Sequence, residues 1–495
     1  MLRSSTLSYN DRKQDMASLF EEIVILLILI AIASVLRFWK LGEWSFWADE
    51  IFSVQDAQNF PESLTINPII YAIIHWTTNT FGLNEWSARL GPCIIGIISL
   101  PFIYLIARRM FSAQVGVVSS LFLVFHPWHI YWSQNARAYS LVFFLAGISA
   151  YCFYEAIESN KLRYSILSLL LTMLSIASYL HCVLILPAFI IYVIILPFLP
   201  ITLPKGLNKR ILLTFFVPFI LSLSVLFIPT VREYIYSGWG SNEWGRNALY
   251  ILFTVGYSLG IPFTVASIIG IFHSFAYLNR GGIFLMCYAI VPLLCLLAIS
   301  PFLNVAGYYL FFTMPAYLIL AGLCASEAIS FMARDSKVLS SAVVLILLIF
   351  LISQSYLYFF VENGGREKWK EAFQSISGKV EIDDTVVVPM PRVAEYYLQK
   401  QNLQQLEKVI NSIEQSQNQW NENKQDVWFV IDEPSVQVLD PQHKFQDWLY
   451  TNCRLVKEFP VYARVMDRTV RIWYLDYIEP ISETKQPNNN IEQSN

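Results

Sequence analysis

The stretch Glu22-Ile23-Val24-Ile25-Leu26-Leu27-Ile28-Leu29-Ile30-Ala31-Ile32-Ala33-Ser34-Val35-Leu36-Arg37-Phe38-Trp39 decides what kind of molecule this is. A helix needs about 20 apolar residues to cross a bilayer, and this run supplies nearly all of them before its first basic residue. It starts late, has no small-residue cleavage site and leads into an aromatic-rich loop, so it reads as a retained span and not a removable signal. Similar segments recur near 86–107, 115–125, 139–157, 164–180, 182–199, 211–228, 249–274, 283–300, 309–323 and 338–360. The count predicts about eleven transmembrane helices.

The whole chain agrees. Of 495 residues, 55% are hydrophobic and 14% charged, and the mean hydropathy is +0.47. A soluble domain carries about 25% charged residues. The net charge of -3 points to no nucleic-acid partner. The seven cysteines form no Cys-x-x-Cys pair, and six lie in apolar segments, so they read as packing residues. Arg108, Arg109, Lys161, Arg163, Lys205 and Lys209 are among the basic residues that crowd one set of loops. The opposite set holds fewer: Arg37, Lys40, Arg89, Arg137, Arg232 and Arg246. This bias predicts a multi-pass protein of the cytoplasmic (inner) membrane with its N-terminus inside and everything after Phe360 outside.

The composition changes at the end of the last span. The expected division is a cytoplasmic segment 1–21, a transmembrane domain 22–360 whose first outer loop is 40–85, an outer α/β domain 361–480 and a disordered tail 481–495. Within the α/β part, 385–389 and 427–431 read as strands, 393–400 and 445–451 as helices, and 455–465 with 470–477 as a hairpin. The Asn- and Gln-rich stretch 411–425 reads as a loop insertion. Gly238–Gly245 reads as an outer loop with interfacial tryptophans.

No phosphate-binding glycine loop, dinucleotide fingerprint or zinc-protease motif is present. Two segments carry candidate chemistry. Trp44-Ser45-Phe46-Trp47-Ala48-Asp49-Glu50 sets two acids among aromatics just past the first span, and Trp44 and Trp47 are expected at headgroup level. On spacing alone, Asp49 reads more readily as a solvated loop acid with no role. His126-Pro127-Trp128-His129 and Ser133-Gln134-Asn135-Ala136-Arg137-Ala138-Tyr139-Ser140 crowd polar groups between two spans. Arg137, at the edge of an apolar helix, suits a phosphate, or else snorkels to the interface. Histidines 126 and 129 read more readily as hydrogen-bonding residues than as metal ligands.

Taken in order, these segments resemble the GT-C superfamily of membrane glycosyltransferases. The nearest branch holds protein O-mannosyltransferases and lipid A aminoarabinose transferases. Arg37-Phe38-Trp39-Lys40-Leu41-Gly42 with Trp47-Ala48-Asp49-Glu50 is similar to that family's first loop. Asn67-Pro68-Ile69-Ile70-Tyr71 is similar to its x-Pro-Pro-Leu-Tyr element, and Glu85-Trp86-Ser87-Ala88-Arg89-Leu90 to the start of its second span. Residues 133–140 resemble its Ser-Gln-x-Ala-Arg-x-Tyr. Departures are Asn67 for His or Lys, Ile69 for Pro, Asn135 for Glu, and Tyr308-Tyr309 for Arg-Tyr.

The resemblance implies an all-α polytopic membrane domain of GT-C fold with a small C-terminal α/β domain. It implies transfer of a sugar from a polyprenyl-phosphate-linked donor to a glycan, lipid or protein acceptor on the outer face, usually with inversion. By the same resemblance Asp49 is the general base and Glu50 orients it or binds the acceptor. Arg137, Tyr139, Arg89, Gln134 and Asn67 become candidates for the donor phosphate. His126, His129 and Tyr308 become candidate donor or acceptor contacts. No cofactor is indicated, and a divalent metal is left open. A transporter or flippase of a lipid-linked precursor is the competing reading.

Overall fold

The computed structural model describes residues 9–62, 67–222, 247–332, 341–381, 383–399 and 402–476, together with Ser224, Phe227, Ile228, Pro229 and Arg232. The expected outer loop Gly238–Gly245 and the tail 481–495 lie outside the described residues. Two compact units result. One falls within Met1–Trp44 and Phe52–Gly364, the other within Ser45–Ile51 and Gly365–Asn495.

The first unit is a helical bundle. It opens with α1 (Tyr9–Phe38), α2 (Ala48–Gln58), α3 (Pro68–Phe81), α4 (Glu85–Met110), α5 (Ala113–Phe125), α6 (Pro127–Ser133), α7 (Tyr139–Ser159) and α8 (Leu162–Ser178). Seven described helices are long and apolar enough to cross a membrane, nine if each of two bent pairs counts as one span. Two of the sequence-predicted spans fall short of the test. Helix α8 has 17 residues, about 26 Å at 1.5 Å per residue. The span expected at 211–228 is a described helix only over Lys209–Ser222. Large apolar side chains cover the outside of the bundle, among them Leu27, Phe253, Ile346 and Phe272, all at least 60% exposed. A surface of that kind suits lipid and not water.

Both bends have a covalent cause. Helices α5 and α6 meet at 62°, where Pro127 lacks the N–H that would continue α5. Ala248–Leu259 and Ile261–Ala276 meet at 97° across Gly260, whose φ of +85° suits glycine, followed by Pro262. Inside the bundle, small residues let backbones approach. A Cβ on Gly270 would lie 2.1 Å from the Leu320 carbonyl oxygen. Ser149 of α7 bonds Thr172 of α8 at 2.6 Å, so buried hydroxyls satisfy one another.

The second unit holds a five-stranded sheet in the order β2-β1-β3-β7-β4. Its strands are β1 (Thr385–Val388), β2 (Leu403–Gln405), β3 (Val427–Asp432), β4 (Arg454–Phe459) and β7 (Val470–Leu475). The pairs β5 (Tyr462–Ala463) and β6 (Met466–Asp467) form a separate hairpin. Strand β1 runs parallel to β2 and β3, and β7 runs antiparallel to β3 and β4. The core gathers Val387, Leu406, Val409, Phe429 and Leu449. The expected loop at 411–425 is instead largely a helix, Ile413–Glu422. Its polar composition hides an apolar edge: Trp420 is buried, packs edge-on against Phe429 and donates to the Gln404 side chain at 3.1 Å.

Candidate active site

The acids of the first loop start a helix. The N–H groups of Glu50 and Ile51 bond the Trp47 carbonyl at 3.0 and 3.2 Å, opening α2, so Asp49 and Glu50 occupy its first turn, where negative charge is favoured. Asp49 is half-buried. Glu50 is fully buried, and its carboxylate lies 3.4 Å from the guanidinium Nε of Arg366.

Further along α2, Ser53 and Asp56 belong to the bundle unit. The Arg137 guanidinium donates to the Ser53 hydroxyl at 3.0 Å. The side chains of Asp56 and Asn67 both hydrogen-bond Tyr71, which also feels the charge of Arg137. Asn67 stands just before α3 in the left-handed region, with φ of 60°, and Pro68 starts the helix. The bundle therefore brings Ser53, Asp56, Asn67, Tyr71 and Arg137 together. Sequence reading singled out Arg137 and Asn67 and missed Ser53, Asp56 and Tyr71. The signal was present, because 49, 53 and 56 repeat at i, i+4 and i+7 and so share one face of a helix.

The other candidates hold the framework. Arg89 is fully buried and donates to the carbonyls of Leu41 and Trp44 at 3.0 and 2.9 Å. The Gln134 amide donates to the carbonyls of Arg37 and Trp39 at 2.9 and 2.6 Å, and its oxygen accepts from Tyr358 at 2.8 Å. Both side chains thereby fasten the chain leaving α1. Arg37, counted in sequence as a loop charge, is fully buried. It donates to the carbonyls of Leu123 and Val124 at 2.9 and 3.3 Å and to His129 Nδ1 at 2.9 Å. Ser355 reaches the Phe125 carbonyl at 2.7 Å. These carbonyls lie at the α5–α6 break, and irregular backbone at membrane depth needs such partners.

His129 is thus an acceptor for Arg37, while His126 is buried edge-on against Phe263. Tyr139 lies 3.7 Å from Trp132, ring to ring, and its hydroxyl meets that of Tyr179 at 3.1 Å. Tyr308, 36% exposed, flanks both Trp132 and Tyr139. Trp44, expected at headgroup level, is instead buried against Tyr358 and Phe359. Among the described residues no group of three or more His, Cys, Asp and Glu could hold a metal ion.

Comparison with known proteins gives a family match over part of the chain and several solved structures of the same fold. Residues 65–226 match the family described as dolichyl-phosphate-mannose-protein mannosyltransferase. The fold is that of ArnT from Cupriavidus metallidurans, solved both in the apo state and bound to undecaprenyl phosphate. The TM-score is 0.58 at 15% identity, over 90% of this chain and 97% of that one. The oligosaccharyltransferase AglB from Archaeoglobus fulgidus, in complex with an inhibitory peptide and a dolichol-phosphate, gives 0.55 at 11% identity, over 84% of this chain and 70% of that one. Arabinofuranosyltransferase AftD from Mycobacteria gives 0.50 at 12% identity, over 91% of this chain but 40% of that one. No curated protein sequence matches the chain. The chain thus has the fold of these solved membrane proteins, and its residues 65–226 match the mannosyltransferase family model.

Proposed function

We propose that this protein transfers a sugar from a polyprenyl-phosphate carrier to an acceptor hydroxyl on the outer face of the cytoplasmic membrane, with inversion at the anomeric carbon. The observation that carries the reading is α2, which has Asp49 in its first turn and, one turn on, Ser53 in contact with Arg137. In the proposed reaction the acceptor oxygen attacks the anomeric carbon while Asp49 takes its proton. The bond from that carbon to the phosphate oxygen breaks, and its electron pair leaves with the lipid phosphate. Phosphate departs without a general acid but gains from a fixed cation, the role given to Arg137, for which a guanidinium fork is well shaped. Asn67 and Tyr71 flank that cation's environment, and Tyr308 with Tyr139 offers an aromatic wall for a sugar ring.

A second reading, movement of a lipid-linked precursor across the bilayer, draws on the two broken spans, a feature of transporters. One experiment separates the two. Purified protein in vesicles receives radiolabelled polyprenyl-phosphate sugars with cell-envelope extract as acceptor, wild type beside Asp49→Asn. Label passing to the acceptor with wild type alone supports the transferase. Label crossing the membrane while still on its lipid supports the flippase and overturns the transferase.

A further inference from the structure

The first-loop acids belong to the same compact unit as the C-terminal sheet, and the contacts show how. Glu50 and Arg366, 316 positions apart, are both buried to within 1%. The Glu50 carboxylate also accepts from the Trp47 N–H at 3.5 Å. The Phe46 N–H donates to the Tyr397 hydroxyl at 2.7 Å, and the Phe46 ring packs edge-on against Tyr396. The Lys370 N–H donates to the Ser45 hydroxyl at 2.9 Å. Segment 45–50 is thus held at Ser45, Phe46 and Glu50 by residues within 366–397. The chain enters that stretch through Gly364 and Gly365, both at positive φ.

We infer that Arg366 is a positioning residue for Asp49, acting through Glu50; this rests on the transferase reading above. Consecutive residues on an α-helix point about 100° apart. Fixing the Glu50 carboxylate on Arg366 therefore fixes the rotation of the first turn of α2 about its axis, and with it the direction of the Asp49 carboxylate. A buried carboxylate that loses its cation is strongly disfavoured, so the pair is held together. The C-terminal domain then has a catalytic consequence without supplying a reacting group: it aims the base.

The test uses the full-length protein in vesicles, with Arg366→Gln, Arg366→Lys and Tyr397→Phe. Each variant is read by transfer kinetics, melting temperature and amide hydrogen exchange over residues 46–51. Arg366→Gln is expected to lower kcat roughly 10- to 100-fold, as misplacement of a reacting group does, with donor KM within about twofold of wild type. Its 46–51 amides exchange faster, and Arg366→Lys recovers part of both losses. A folded Arg366→Gln with wild-type kcat, or with a loss confined to KM, overturns the proposal. If Arg366→Gln does not fold, Tyr397→Phe decides, since it removes one hydroxyl and no charge. A lower kcat with faster exchange supports the role, and an unchanged kcat overturns it. Wild type that moves no sugar from any donor removes the reaction and the role together, and exchange then shows whether Arg366 still tethers the segment.

Discussion

The bundle and the sheet unit treat buried cations differently. In the bundle, Arg37 is fully buried and its described partners are backbone carbonyls and a histidine ring nitrogen. In the sheet unit the arginines face carboxylates: Arg366 meets Glu50, Arg468 meets Glu367, and Arg471 meets Glu433, Glu458 and Asp467. Among the bundle's described arginine ion pairs, Arg108–Glu22, Arg109–Glu155 and Arg280–Glu158 sit at helix ends where the arginines are partly exposed. The lesson concerns available acceptors. A broken membrane helix leaves carbonyls that must be bonded, and a long cation reaches several of them without adding a second charge to desolvate. At the edges of a sheet water can satisfy the spare carbonyls, which leaves the arginines to pair with acids.

Five changes break or sharpen this contrast. Asp49→Asn carries the largest effect, a loss of transfer of roughly 10²- to 10⁴-fold with unchanged expression and melting temperature, read with the radiolabelled donor. Arg37→Met removes a donor from the carbonyls of Ala33, Leu123 and Val124 and from His129, and is expected to lower the bundle's stability by about 3 kcal/mol or more, seen as a lower melting temperature in detergent. A melting temperature equal to wild type would break the contrast. Arg137→Ala is expected to weaken use of the donor by roughly tenfold to a hundredfold while sparing the acceptor KM, the loss of a charged hydrogen bond. An unchanged donor dependence would remove Arg137 from the phosphate.

The last two changes lie in the sheet unit. Burial, then the charge of nearby Glu367, pushes the Asp432 carboxyl up from 3.8 to about 7, against an opposing hydrogen bond from Ser435. The folded state holds this proton more tightly than the unfolded one. Its stabilising effect is therefore complete below about pH 4 and disappears as pH rises through about 7. Asp432→Asn is expected to flatten the fall in melting temperature across that window. An identical pH dependence in the variant would exclude Asp432 as its source. Arg471→Gln is the mildest, about 1 kcal/mol or less, because the ion pairs it removes are partly solvated. A loss as large as that of Arg37→Met would erase the difference between the regions.

Much of the fold was legible because the signals are local. Apolar runs long enough to span a bilayer, and short continuous apolar strands such as Val427–Asp432, announce themselves within a short stretch of chain. The Asn- and Gln-rich helix Ile413–Glu422 escaped because its apolar edge is thin and is completed only by Phe429 from the sheet. Of the candidate site, the sequence singled out the acids of the first loop and Arg137 through their order and spacing. It grouped Arg89 and Gln134 with them on position alone, and their carbonyl partners came into view only in the structure.

The sequence by itself determined that the chain crosses the membrane many times, where most spans lie, and which polar residues stand at their ends, because transfer of side chains out of water is nearly a sum over residues. Only the tertiary structure decided that Arg37 serves a helix break 86 positions away, that Asp56 and Tyr71 join Arg137, and that Glu50 is held by Arg366. Those choices depend on which unsatisfied groups the packed helices and strands bring within hydrogen-bond reach, and such distances follow from the fold as a whole.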